Sequence, residues 1–217
     1  MTIGGLETTR IAELLRPFAG DRLPHELLRR LSDYLELLLR WNARVNLTAV
    51  REPEQIVTRH FGESLFAARA LYPSAATDGT LVDIGSGAGF PGIPITLWAA
   101  EVDLTLVESK QKKVTFLREA LRTLDLKNAQ VFAGRAEDFV GPSAGSLTVT
   151  LRAVECFEQI LPTAARLVGK GARLALLIGE AQVTRAHQIL PEFSWREAVA
   201  IPQSERRVLL VGERAGK

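Results

Sequence analysis

Cysteine is nearly absent: Cys156 stands alone among 217 residues. An intrachain disulfide is therefore impossible, a four-cysteine zinc site is excluded, and a reducing, cytoplasmic setting is expected. Charge of one sign is also missing. With 27 Lys and Arg against 25 Asp and Glu, the balance permits a nucleic-acid partner without demanding one. No apolar run is long and uncharged enough to span a bilayer, and the first residues lack the charged-then-apolar pattern of a signal peptide. The sequon Asn46-Leu47-Thr48 is accordingly expected to stay unmodified. Repeats and low-complexity tracts are lacking too. What is present is apolar: 47% hydrophobic residues suffice for a full core in one or at most two domains.

Up to about Leu71 the chain reads as helix. Leu27, Leu28, Leu31, Leu35 and Leu38 recur at three- and four-residue steps between Leu23 and Trp41, and a second helix begins near Pro53, where proline suits a first turn. Beyond the turn-rich stretch 72–79 the period changes. Strands are expected at Leu81–Ile84, Leu104–Val107, Ala129–Phe132, Leu147–Leu151 and Ala172–Ile178, with helices at Gly92–Ala100, Lys112–Leu124 and Phe157–Val168 between them. That alternation implies a parallel sheet covered on both faces. Two further strands, Ser194–Ile201 and Arg207–Val211, have no helix between them and should pair antiparallel at one edge. The division expected is a helical cap over 1–72 followed by a ligand-binding unit over 73–217.

The run Leu81-Val82-Asp83-Ile84-Gly85-Ser86-Gly87-Ala88-Gly89 sets glycines between a buried strand and a helix, where a ligand must touch the backbone. Dinucleotides and S-adenosylmethionine both use such turns, and Gly87, Gly89 and Gly92 even satisfy Gly-x-Gly-x-x-Gly. Register separates the two. The matching glycines begin two residues late for a pyrophosphate, and Pro91 and Pro94 remove donors from the following helix start. Asp83 sets beside the loop a carboxylate that repels a pyrophosphate but holds a methionine ammonium, directly or through water. Glu108, at the end of the next strand, suits ribose hydroxyls, and Gly134-Arg135-Ala136-Glu137-Asp138 is positioned to meet an adenine edge; the latter also reads as a plain helix start.

After the fourth expected strand stands Leu151-Arg152-Ala153-Val154. Methyltransferases acting on an exocyclic amine usually carry an Asn/Asp-Pro-Pro-aromatic turn there, so amine chemistry is disfavoured. Cys156 follows Glu155 rather than proline and is expected to be a small buried residue, which argues against attack on cytosine carbon five. A ring nitrogen such as guanine N7 has a free lone pair and no proton to lose, so alignment replaces a general base. No dedicated catalytic residue is then required. Arg152 is open to three uses, namely reading guanine, anchoring a phosphate or meeting the cofactor, and its purely structural role would be a salt bridge to Glu155 or Glu180. His60 is assigned structural hydrogen bonding. Lys110, Lys112, Lys113, Arg118 and Arg122 make a basic helix suited to phosphates or simply to water.

Several stretches together resemble the bacterial 16S rRNA (guanine-N7) methyltransferases of the RsmG/GidB family. They are Trp41-Asn42-Ala43-Arg44-Val45-Asn46-Leu47-Thr48, Arg59-His60-Phe61-Gly62-Glu63-Ser64-Leu65, the glycine loop through Phe90-Pro91-Gly92-Ile93-Pro94, Lys112-Lys113-Val114-Thr115-Phe116-Leu117, Arg135-Ala136-Glu137 and Arg152-Ala153-Val154. The resemblance implies a class I S-adenosylmethionine-dependent methyltransferase fold, α/β and Rossmann-like, with a mostly parallel seven-stranded sheet. It implies S-adenosyl-L-methionine held by Gly85, Phe90, Ala136, Glu137 and Arg152 with Glu108 near the ribose, to which the reading of the loop adds Asp83 and Gly87. The implied acceptor is a guanosine of 16S rRNA in the small subunit or its precursor, met by Lys112, Lys113, Arg206 and Arg207 on a monomer without metal. Three positions depart from the family pattern: Glu63 replaces its usual aspartate, Ile178 its lysine, and Arg206-Arg207 its Arg-His. A small-molecule methyltransferase and a non-catalytic RNA-binding relative stay open as alternatives.

Overall fold

Alternation along the strands decides the architecture. Leu81, Leu104, Leu106 and Leu177 join one apolar cluster, while their neighbours Val82, Val107 and Leu176 join another. Strands buried on both faces require helices on both. The computed structural model describes residues 6–21, 23–74, 78–141, 147–154 and 156–215. In it β1 (Gly79–Ile84), β2 (Val102–Glu108), β3 (Ala129–Ala133), β4 (Leu147–Arg152) and β5 (Arg173–Gly179) lie parallel in the order β3-β2-β1-β4-β5. Short β6 (Phe193–Trp195) and β7 (Val199–Ala200) both pair antiparallel with β8 (Arg207–Arg214), which itself runs antiparallel to β5. The tail strand expected at 194–201 is thus realised in two pieces, interrupted at 196–198, and β8 lies between it and the rest of the sheet.

Helices α1 (Thr8–Ala19), α2 (His25–Asn42) and α4 (Glu63–Leu71) pack with α5 (Gly92–Trp98) and α6 (Gln111–Thr123) on one face; α7 (Phe157–Arg166) and α8 (Val183–Ile189) belong to the other. Between α2 and α4 lie α3 (Pro53–Ile56) and a π-helical turn, Val57–Gly62, which continue directly into α4. The sequence predicts no helix at α8, because a seven-residue element burying only Ala186 has no apolar stripe to detect. No helix among the described residues is long and apolar enough to cross a membrane.

The N-terminal helices share a single apolar cluster with α5, α6 and the sheet. Tyr34 of α2 stacks on Phe61 and Phe90 at ring distances of 5.3 and 5.4 Å, and its hydroxyl donates to the carbonyl of Ala88 in the glycine loop. Gly89 must lack a side chain here. Its φ is +86°, and a Cβ would lie 2.6 Å from the Tyr34 hydroxyl and 2.5 Å from Ile93 Cδ1. The helical region therefore supports the loop from beneath.

Candidate active site

Most of the loop's backbone donors are turned inward. The N–H groups of Gly85 and Ser86 donate to the Val107 carbonyl at 2.9 and 3.1 Å, that of Gly87 to Glu108 Oε2 at 3.0 Å, and that of Gly92 to Asp83 Oδ2 at 3.3 Å. A pyrophosphate would find these donors spent, which agrees with the register expected for a different adenosine cofactor. Asp83 departs from expectation. Its carboxylate does not stand beside the loop: it is fully buried beneath it, accepting from Thr150 Oγ1 at 2.8 Å and from Gly92. Burial pushes its pKa up to about 7, against the opposing pull of those hydrogen bonds.

Above the loop opens a cavity of about 310 Å3 at the carboxyl ends of β1 and β2. Gly85, Glu108, Ala136 and Glu137 line it, with Ile84, Val107 and Ile160 as apolar walls. Four other expected cofactor residues do not: Phe90 belongs to the aromatic cluster with Tyr34, Phe61 and His60, Gly87 and Asp83 belong to the loop's own bonding, and Arg152 lies elsewhere. Glu108 accepts from the N–H groups of Gly87 and Lys110, one on each oxygen, which leaves lone pairs for ribose hydroxyls. The cavity's dimensions, apolar walls and carboxylate fit an adenosine. Cys156 corrects the sequence expectation. It is exposed, at φ +54° in the turn before α7, and lines the same cavity. Gly85, at φ +67°, would set a Cβ 3.0 Å from Val154 Cγ1, so the turn after β4 closes onto the loop.

On the other side of that turn lies a buried charge network. Arg152 donates to Glu63 Oε2 through Nε at 3.2 Å and Nη2 at 2.9 Å, and Nη2 also meets the Arg59 carbonyl at 2.7 Å and His60 Nδ1 at 3.0 Å. Arg207 Nε donates to the same Glu63 oxygen at 3.1 Å. Burial works against the charge of Arg152, and Glu63 supports it. His60 is held neutral, its pKa lowered to about 3 by burial and by the Arg152 charge. One expected partner of Arg152, Glu155, lies outside the described residues; the partner found is Glu63 and not Glu180. The carboxylate is 89 positions away, beyond any local signal.

Two of the departures from the family pattern meet in that network, and the third lies beside it. Glu63 spans the two guanidinium groups, and Arg207 is the second of them. Ile178 is buried in β5 opposite Val208, one register step from Gly179 and Arg207. Arg207 thus carries a cation one register step from Ile178. A cavity of about 680 Å3 opens here, walled by Arg59, Glu63, Gln182, Gln203, Arg206 and Arg207 among others. Of the four expected RNA contacts, Lys112 and Arg206 are exposed, Lys113 places Nζ 3.9 Å from where a Gly87 Cβ would stand, and Arg207 is turned inward onto Glu63.

The family model described as rRNA small subunit methyltransferase G (GidB) matches residues 27–207. A curated relative, "Ribosomal RNA small subunit methyltransferase G" of Xanthomonas euvesicatoria pv. vesicatoria, is 42% identical over 77% of this chain and 76% of its own; the protein of that name from Stenotrophomonas maltophilia is 41% identical over 77% and 76%. Among solved structures, ribosomal protein L11 methylase of Lactobacillus delbrueckii subsp. bulgaricus shares the fold. Its TM-score is 0.59 at 13% identity, over 73% of this chain and 80% of its own. TYW2 of M. jannaschii in complex with AdoMet gives 0.53 at 14%, over 70% and 76%. The class I methyltransferase fold expected from the sequence is the one observed.

Proposed function

The chain belongs to the rRNA small subunit methyltransferase G family, and on that premise we propose that it transfers a methyl group from S-adenosyl-L-methionine to N7 of a guanosine in 16S rRNA. The observation that carries the cofactor assignment is the cavity on the glycine loop, where Glu108 faces an apolar slot between Ile84, Val107 and Ile160. Gly85, Glu108, Ala136 and Glu137 hold the adenosine in this reading, Asp83 and Phe90 hold the loop in shape, and Arg152 receives an anionic group beyond β4. The cofactor supplies a methyl carried on a sulfonium sulfur. The protein would align the acceptor: the N7 lone pair takes the methyl as the carbon–sulfur bond breaks and its electron pair returns to sulfur, S-adenosylhomocysteine leaves, and because no proton is released no general base is needed.

The substrate in this reading is 16S rRNA or a small-subunit precursor in the cytoplasm, met by a monomer through Lys112, Lys113 and Arg206. Only Val140 and Val199 are exposed large hydrophobics among the described residues, which supports a chain working without a second copy. Residues 1–72 act here as one unit with 73–217 because their apolar cluster is shared. The test is incubation of unmethylated, deproteinised 16S rRNA and of small subunits with labelled cofactor, followed by nucleoside mapping. Label in 7-methylguanosine is expected. Label confined to a small molecule, or to another nucleoside, overturns the assignment.

A further inference from the structure

None of the residues from Trp41 to Thr48 or in the π-helical turn lines the cavity on the glycine loop, yet the fold brings the two segments to one point. Asn42 shapes the loop after α2: its Oδ1 accepts from the N–H groups of Leu47 and Thr48 at 2.9 and 3.0 Å, and its Nδ2 donates to the Thr48 carbonyl at 3.1 Å. Thr48 Oγ1 is thereby fixed 2.7 Å from His60 Nε2. Across the same ring, Nδ1 lies 3.0 Å from Arg152 Nη2. The π-helical turn also presents the carbonyl of Arg59 to that nitrogen at 2.7 Å.

The proton placement follows from chemistry. An arginine has only donors, so Nδ1 must accept, and a neutral imidazole then carries its hydrogen on Nε2, where Thr48 Oγ1 accepts it. Arg152 Nε and Nη2 are committed to Glu63, the Arg59 carbonyl and His60, whereas Nη1 has no partner among the described residues. Nη1 is nevertheless not a buried orphan, since Tyr72 Oη is the one such atom found among the described residues. It therefore reaches solvent, while the Arg152 side chain as a whole is 9% exposed and its guanidinium is clamped by three groups.

We propose that Thr48 and His60 are positioning residues for the methyl transfer: they fix the Arg152 guanidinium so that Nη1 alone is offered to an anionic oxygen at the end of β4. This rests on the methyltransferase reading. The oxygen belongs either to the cofactor's carboxylate or to a phosphate of the acceptor strand, and the two sources are separable. Offering one nitrogen instead of the usual two-pronged fork also prevents Arg152 from occupying O6 and N7 of a guanine together, which would block the reacting lone pair. The demand on geometry is severe, because displacement of an aligned group by about 1 Å costs on the order of a hundredfold in rate.

The test uses the full chain with Thr48→Val, Thr48→Ser and His60→Ala. Imidazole nitrogen-15 shifts should show His60 as the neutral Nε2–H tautomer in the wild type and in both Thr48 variants, because Arg152 still donates to Nδ1, with the Nε2 resonance displaced in Thr48→Val, which removes its acceptor, and unchanged in Thr48→Ser. Methylation of 16S rRNA should fall about tenfold to a hundredfold in Thr48→Val and His60→Ala and stay within about twofold in Thr48→Ser. A raised Kd for S-adenosylhomocysteine identifies the carboxylate as Arg152's target; a raised KM for RNA with that Kd unchanged identifies a phosphate. Rates within about twofold of wild type in Thr48→Val and His60→Ala overturn the proposal, as does equal damage from Thr48→Ser. If the wild type methylates no RNA, the functional reading fails separately, and the Nε2 resonance still decides whether Thr48 holds the imidazole.

Discussion

At the carboxyl ends of β1, β2 and β3, the cavity-lining groups come from short runs near Gly85, Glu108 and Ala136 together with the start of α7, and the bonding is mainly backbone to backbone or to one carboxylate. Beyond β4 the groups are Thr48, His60, Glu63, Arg152 and Arg207, drawn from the whole length of the chain and joined by buried charge. The first half is a backbone surface shaped by turns, and the second is a side-chain lattice. Backbone shape tolerates loss of a single side chain; a lattice of two guanidinium groups on one carboxylate does not.

Glu63→Ala breaks that contrast most sharply. It strands the buried cation of Arg152 beside the half-buried one of Arg207, and a loss of about 3–5 kcal/mol in denaturant unfolding is expected. A loss below about 1 kcal/mol would mean that water already screens the pair as it does at a surface. On the loop side the largest effect belongs to a position with no side chain. Gly89→Ala meets both a left-handed backbone and the contacts of Tyr34 and Ile93, for an expected cost of about 2–4 kcal/mol read by thermal unfolding. Glu108→Gln should instead separate binding from folding: S-adenosylhomocysteine affinity falls about tenfold in calorimetry while stability drops by about 1 kcal/mol.

Proton linkage sharpens the comparison, because the two halves respond to pH with opposite sign. Asp83 has a folded pKa of about 7, above its unfolded value, so the native state binds the extra proton and stability declines as pH rises from about 4 through 7. His60 has a folded pKa of about 3, below its unfolded value, so its contribution is lost as pH falls from about 6.5 toward 3. Unfolding of Asp83→Asn and wild type between about pH 5 and pH 8 should show the difference moving in the variant's favour. A parallel pair of curves would place Asp83 in contact with water. The smallest effect is at the rim: Lys112→Ala should leave cofactor affinity unchanged and lower the salt slope of RNA binding by about one.

Sequence legibility follows the same division. The glycine loop, Glu108, Ala136 and the parallel strands were readable because each depends on neighbours within a few residues and on a period of two or 3.6. Arg152 was visible as a residue with a task, but its partner was not, since Glu63 and Arg207 reach it only through the packing of α4 and β8 against the end of β4. Asp83 was found and its surroundings misjudged: a carboxylate before a glycine turn looks exposed on paper, and only the fold shows Thr150 and Gly92 enclosing it. Cys156 erred the opposite way, because residue type predicts burial while its place in a left-handed turn decides exposure. Helix α8 was too short for any periodic signal.

The place of β8 between β5 and the β6–β7 edge has a consequence for synthesis. A chain emerging from the ribosome holds the glycine loop, Glu108, Ala136 and α7 once residue 166 has appeared, whereas Glu63 waits for its second arginine until residue 207. The residues around the glycine-loop cavity are thus complete in sequence well before the charge network beyond β4. A chain ending before the last strand would hold every residue around the glycine-loop cavity yet leave Glu63 with one arginine in place of two.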